Sequence, residues 1–361
     1  MKLKRNTILS IAALSCLAIF LGFADLFLGR FAIRILNLSA IYIVLALSLN
    51  ILNGFTGLFS LGHAGFMAVG AYVSALLTMS PSQKEMNFFL EPIVPFLQNI
   101  QLPFVLALIA AGLCAGIAAF IIGFPALRLK DDYLAIATLG FAEIIRVLLT
   151  NAQRLTNGAQ GLKGITKHST TPVVWSVAAL SVLFTWALTR SSYGRTMKAV
   201  RDDEIAAEAM GVNITRVKSV SFVISSFMAG VGGALLGHMI TTIDPKMFML
   251  PLTFNILLIV VLGGNGSISG SVIGAIVVTV LMEALRFLDM PMNLLVIKTN
   301  GLPGLRMVMF SLLLMLVVLY RQRGLMGNRE FSWDAIIGAG KRVFSAGNRA
   351  HKNSSKNGIK P

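Results

Sequence analysis

Residues 102–123 read LPFVLALIAAGLCAGIAAFIIG, with no charged side chain anywhere in the run. An apolar stretch of roughly 18 or more residues is the length of a helix crossing a bilayer. Working outward, further runs of this kind lie near 8–28, 35–52, 58–79, 133–150, 172–189, 219–240, 252–262, 271–287 and 305–320. The run at 252–262 is too short to cross alone and must borrow neighbouring residues. Composition agrees: the 361 residues are 56% hydrophobic and only 13% charged, whereas a soluble domain carries about 25% charge. The reading is an all-α, polytopic membrane protein with about ten transmembrane helices. That excludes a soluble enzyme, a disulfide-stapled secreted domain and a disordered tail protein. Cys16 and Cys114 both lie inside apolar runs, so they read as small packing residues.

The net charge of +16 would suit nucleic acid, but the positions of the basic residues point to lipid instead. From Arg321 to Pro361 the tail holds nine Lys or Arg against two acids, and the other basic residues flank apolar runs. Basic flanks fix membrane orientation. With the amino terminus inside, ten crossings return the carboxyl terminus inside. Inside loops then carry twenty basic residues and outside loops nine, the excess resting on the tail and on residues 190–218. The first run is read as a retained span, because no small-residue cleavage site follows it and Asp25, Arg30 and Arg34 lead directly into the next run. The tail beyond residue 322 is rich in Gly, Ser, Asn and Lys and is expected to be mostly disordered. Within it Trp333, Ile336, Ile337 and Phe344 suit an amphipathic stripe on anionic lipid.

Lipid cannot satisfy backbone N–H and C=O groups, so the spans must be helices, and glycine-broken backbone at membrane depth must be packed inside protein. NGFTGLFSLGHAGFMAVGAY, residues 53–72, reads as such a broken or tightly packed segment. Gly112 with Gly116, Gly233 with Gly237 and Gly270 with Gly274 are GxxxG pairs that let helix backbones approach. Helix packing is the simpler account of these glycines; a substrate path lined by them is the other. No GxxxxGK[ST] loop, GxSxG elbow or HExxH helix occurs, and His63, His168, His238 and His351 are too scattered for a metal motif. LGGNGSISGSVIGA, residues 262–275, reads as a turn between two spans.

Two features carry functional weight. The inside loop 190–218, RSSYGRTMKAVRDDEIAAEAMGVNITRVK, is dense with both signs of charge. Asp202, Asp203 and Glu204 precede the run Ala206, Ala207, Ala209 and suit a helix start, while Gly211 is a natural stop. Ile205, Ala209 and Val212 share a face able to enter a partner's groove; a solvated connector is the plainer alternative. The second feature is a repeated spacing, Glu143 with Arg146 and Glu283 with Arg286, three residues apart inside spans. A mid-membrane charge costs about 2.5–3.5 kcal/mol, so such residues face a bundle interior or a wet path. They are read as a translocation path or as a buried structural pair.

Four blocks in order, ILNGFTGLFSLGHAGFMAVGAYVSALL, FPALRLKDDYLAIATLGFAEIIRVLLTNAQRLTNGAQGLKGI, GRTMKAVRDDEIAAEAMGVNITRVKSVSFVISSFMAGVGGAL and VVLGGNGSISGSVIGA, resemble the membrane permeases of bacterial branched-chain amino acid ABC importers, in the LivM-like branch. The resemblance covers about residues 35–322. It implies a type II-like permease domain over 1–322 in the bacterial inner membrane. It further implies a homologous LivH-like permease, two cytoplasmic ATPase subunits and a periplasmic substrate-binding protein as partners. The chain itself would bind no cofactor, the ATP being used by the ATPase subunits. Glu204, Ala206, Ala207 and Gly211 echo the EAA-x3-G segment by which such permeases couple to an ATPase, with Ile205 standing where the pattern has its glutamate. Branched-chain or related amino acids are the implied cargo, moved by alternating access. The urea permeases of the same family look similar in these blocks. A self-powered secondary transporter using Glu143 and Glu283, and a membrane-embedded enzyme, are the rival readings.

Overall fold

A computed structural model describes residues 27–129 and 131–286, and beyond them 292–294, 297–299, 304–320 and 324–327. The predicted span at 8–28 and the aromatic stripe of the tail therefore lie almost wholly outside the described residues. The remaining spans each coincide with a helix. They are α1 (Arg30–Asn50), α2 (His63–Thr78), α4 (Phe104–Ala126), α5 (Asp131–Asn151), α6 (Thr171–Arg190), α9 (Ile214–Ile240), α10 (Leu250–Gly263), α11 (Ile268–Ala284) and α12 (Leu305–Tyr320). Shorter helices lie between them, among them α3 (Pro81–Asn87), α7 (Ser192–Asp202) and α8 (Glu204–Ala209).

Among the described residues five helical segments are both long and apolar enough to cross a membrane, which leaves a count of ten unestablished. The shorter ones have local causes. At 1.5 Å per residue the fourteen residues of α10 span about 21 Å, less than a hydrocarbon core of about 30 Å. A 3₁₀ turn, Pro245–Phe248, precedes it and buries Phe248. The borrowed residues are thus on the amino-terminal side.

α1 with the turn that follows it and α9 form the buried axis: 78% of the most apolar window of each is covered, against 28% in α5 and 22% in α6. The outer helices show large apolar side chains outward, such as Ile117 and Phe120 on α4 and Leu180 and Leu183 on α6. That distribution inverts the soluble rule and suits contact with lipid tails.

Small residues set the inner packing, because without a hydrophobic drive between helices in lipid, close van der Waals approach must hold them. A Cβ on Gly233 of α9 would lie 2.1 Å from the Met67 carbonyl oxygen of α2, and one on Gly70 of α2 would lie 2.1 Å from the Gly230 carbonyl oxygen. The three GxxxG pairs do not behave alike. In the pair on α4, a Cβ on Gly112 would lie 2.7 Å from the Phe227 ring, whereas one on Gly116 would meet nothing nearer than 3.6 Å. A Cβ on Gly270 would lie 2.4 Å from the Gly263 oxygen, so this glycine lets α11 close on α10.

At the end of the bundle away from α7 and α8, Ser80 and Gln83 form a capping box at the start of α3. Lys84 of α3 is wholly buried, donating to the carbonyl oxygens of Leu97 at 2.7 Å and Ile100 at 2.6 Å. Burial lowers its pKa. A two-residue antiparallel ladder, Leu162↔Ile243 and Lys163↔Thr242, ties the loop before α6 to the exit of α9. At the opposite end Leu325 and Met326 donate to the carbonyl oxygens of Leu262 and Gly263. The start of the expected tail is therefore fixed on the α10–α11 turn.

Candidate coupling surface and helix breaks

The glycine-rich stretch is a true break. After α1 the chain makes one π turn, Ile51–Thr56, ending at Gly57 with φ +80. A side chain at Gly57 would be strained by that φ, and its Cβ would meet Arg201 Cγ at 2.9 Å. Residues 57–62 are not helical, and α2 starts at His63. Donors of this stretch and of the first turn of α2 find partners on neighbouring helices: Leu61 N donates to Thr138 Oγ1 at 3.1 Å and Ala64 N to Thr253 Oγ1 at 3.1 Å. Irregular backbone at membrane depth is thereby satisfied inside protein. His63 sits in the same cluster, its Nε2 2.7 Å from Ser48 Oγ, as a hydrogen-bonded core histidine.

A second break lies between α10 and α11, where Gly264 and Gly266 have φ of +118 and +80. Asn50, fully buried at the end of α1, joins the two breaks. Its Oδ1 accepts from Gly266 N at 2.8 Å, and its Nδ2 donates to Ser267 O at 3.0 Å and Ser271 Oγ at 2.8 Å. Arg201 of α7 completes the joint, donating from Nη1 to the Gly54 carbonyl oxygen inside the π turn at 2.9 Å. Lys198, one turn earlier, lies 5.6 Å from the Phe55 ring centroid. Asn53 in the same turn has both side-chain polar atoms buried without a hydrogen-bond partner.

The segment singled out by sequence forms the surface beside this joint. Asp203 caps α8, its Oδ1 accepting from Ile205 N and Ala206 N at 2.9 and 3.0 Å. The helix closes as a Schellman turn: Gly211 N donates to Glu208 O at 2.9 Å, Val212 N to Ala207 O at 3.1 Å, and Gly211 carries φ +85. The four motif positions part company here. Ala207 is buried against the chain's own core, Ala206 is exposed, Gly211 serves the turn, and Glu204 pairs with the buried ammonium of Lys218 on α9. The outward face is formed by Ile205 and Met210, 82% and 84% exposed, with Ala206 and Ala209 between them. Met210 was missed because it falls just past the helix, where a sequence pattern assigns no face.

Both predicted ion pairs form. Arg146 donates to the Glu143 carboxylate through Nε at 2.9 Å, and Arg286 Nη1 to Glu283 Oε1 at 2.8 Å. The structure does not bring the two pairs together with the break cluster: Glu143 is exposed on the outer side of α5, and Glu283 and Arg286 sit at the far end of α11. Among the described residues no group of three or more His, Cys, Asp or Glu could hold a metal ion. Arg201, Asn50 and Lys218 were not found by sequence reasoning. The two asparagines, Asn50 and Asn53, flanking the break in an apolar run were the available signal.

Helices with apolar outward faces, buried broken backbone and a capped helix-turn surface at one end suit a multi-pass α-helical membrane protein. The comparisons with known proteins give the family. The family described as "Branched-chain amino acid transport system / permease component" matches residues 31–319, and the chain belongs to it. It is 32% identical over 332 residues to the high-affinity branched-chain amino acid transport system permease protein LivM of Escherichia coli strain K12, covering 82% of this chain and 70% of that protein. A probable LivM permease of Methanocaldococcus jannaschii is 25% identical over 79% of this chain and 90% of its own. The LivH permease of E. coli K12 is 27% identical over 67% and 80%. No solved structure matches the chain.

Proposed function

We propose that this chain is a membrane-spanning permease subunit of an ATP-driven importer, carrying branched-chain or related amino acids across the bacterial inner membrane. The observation that carries this reading is the match to LivM permeases over about four-fifths of the chain, beside a family match over residues 31–319 that includes the breaks and the α7–α8 surface. In this reading α7 and α8 lie on the cytoplasmic side. The Ile205–Met210 face docks in the groove of an ATPase, a second, LivH-like permease pairs with this one, and a periplasmic binding protein delivers the cargo.

The chain's chemistry supports an external motor, since its sequence contains no phosphate-cradling loop. The outward Glu143–Arg146 pair supports a membrane partner. Glu143 lies twelve residues past the start of α5, about 18 Å along its axis, and a charge at that depth needs cover from hydrocarbon. ATP binding would close the ATPase pair, α7 and α8 would follow, and Arg201 and Asn50 would carry the movement into both helix breaks, alternating the open side.

The test is reconstitution of the complete transporter in proteoliposomes, with uptake of leucine, isoleucine, valine and urea measured in competition. ATP-dependent uptake of the amino acids is expected. Uptake of urea alone would replace the cargo assignment, and ion-driven pumping by the isolated chain would overturn the permease-subunit reading.

A further inference from the structure

At the end of the bundle away from α7 and α8, a groove of about 760 Å³ runs between the first three turns of α1 and the ends of α9 and α10. That volume is ample for a small ligand. Arg30, Ile33, Arg34, Asn37 and Leu38 line it at the spacing of one helical face, and Lys167 reaches it from the loop before α6. Among the described residues, three cationic side chains and no acidic one line this groove. Leu38, Leu236 and Leu252 give it aliphatic walls, and Tyr42 also lines it.

Asn37 supplies the pointer to a ligand. It is 4% exposed, its Nδ2 donates to Thr171 Oγ1 at 3.3 Å, and its Oδ1 has no hydrogen-bond partner. A buried, unpaired acceptor costs about 1–3 kcal/mol and is rarely left so without reason. Fixed on one side by Thr171, the amide holds this acceptor one helical turn inward of Arg34. A carboxylate alone would not use it, because a carboxylate offers no donor. A small molecule whose carboxylate faces the arginines, whose ammonium group on the neighbouring carbon turns toward Asn37 and whose body is apolar would match these residues.

We propose that this groove is an outer subsite for a zwitterionic amino acid with an aliphatic side chain. Arg30, Arg34 and Lys167 take the carboxylate and Asn37 Oδ1 takes the ammonium group. The assignment rests on the importer reading above and deepens it by naming where cargo first meets this chain. The cations are exposed to water, where charge pairs are weak, so the subsite holds cargo loosely, as a site on a path must.

The assembled transporter in nanodiscs, with receptor and ATP absent, provides the test. Binding is measured for leucine, for 3-methylbutylamine, which lacks the carboxylate, and for 4-methylpentanoate, which lacks the ammonium group. Leucine is expected to bind about tenfold more tightly than either analogue, the value of one hydrogen bond to a charged group. Arg34→Gln should erase the margin over the amine and keep the margin over the acid; Asn37→Ala should do the reverse. Asn37→Asp, of the same size, should tighten the amine. Equal weakening of all three ligands, unchanged binding in every variant, or no leucine binding by the native complex would overturn the proposal. So would loss of co-purifying phosphatidylethanolamine with leucine binding intact, since that headgroup pairs the same two charges. Uptake by the same native preparation separates the two levels: uptake without this selectivity removes the subsite alone, while no amino acid uptake removes the importer reading.

Discussion

Arg201 Nη1 donates to the Gly54 carbonyl oxygen at 2.9 Å across 147 positions of sequence, so a helix on the outer rim of the bundle completes the hydrogen bonding of a turn inside it. The same guanidinium group is held on the rim by Asp202, at 2.8 Å from Nη2. Arg201 therefore belongs to both bodies at once. Arg201→Gln should leave expression and basal ATPase activity of the complex near native and lower amino acid uptake per ATP hydrolysed severalfold. An unchanged ratio of uptake to hydrolysis would show that the joint carries no motion.

The exposed pair Ile205 and Met210 should govern attachment of the motor. A charge in a desolvated apolar contact is costly, so Ile205→Glu with Met210→Glu is expected to reduce co-purification of ATPase with the chain strongly, at native chain levels. Ala207→Glu should instead destabilise the chain itself, because that side chain points into its own core. Retention of the ATPase by the double variant would place the docking face elsewhere.

Glycine positions that look alike in sequence should differ sharply. Gly233→Ala puts a methyl 2.1 Å from the Met67 oxygen, and Gly116→Ala puts one at 3.6 Å, ordinary van der Waals contact. Forcing the backbones of α2 and α9 apart should cost several kcal/mol of packing, with loss of monodisperse protein in detergent. The second substitution should change stability by less than about 0.5 kcal/mol. Equal behaviour of the two would mean that α2 and α9 do not approach so closely.

Lys84→Met exchanges the buried ammonium group for an apolar side chain and leaves the carbonyl oxygens of Leu97 and Ile100 unpaired. Two strong bonds are lost, and part of that loss is offset because burying a charge is itself unfavourable. A net destabilisation of about 1–3 kcal/mol is expected, read as a lower melting temperature of the purified protein. A melting temperature equal to or above the native value would show that desolvation outweighs the two bonds.

Much of the bundle was legible before its coordinates. Described helices α1, α2, α4–α6 and α9–α12 fall where apolar runs stand, since one unpaired peptide group in hydrocarbon costs several kcal/mol and no other local structure pairs them all. Asp203 and Gly211 announced the ends of α8, because capping and a left-handed residue are local matters. The face of α8 was only half legible. Ala207 and Ala206 are chemically the same, and which of them points inward depends on where α9 passes.

What the sequence by itself determined is the class of the protein and where its apolar helices lie along the chain, because solvent exclusion acts on each segment separately. What the tertiary structure alone decided is partnership. It paired Arg201 with Gly54, Asn50 with the α10–α11 turn and Glu204 with Lys218, and it left the Asn37 acceptor without a partner. These groups lie far apart along the chain, most of them ten to more than two hundred residues from their partners. Only the packing angles of helices held by glycine contacts bring them within hydrogen-bond reach.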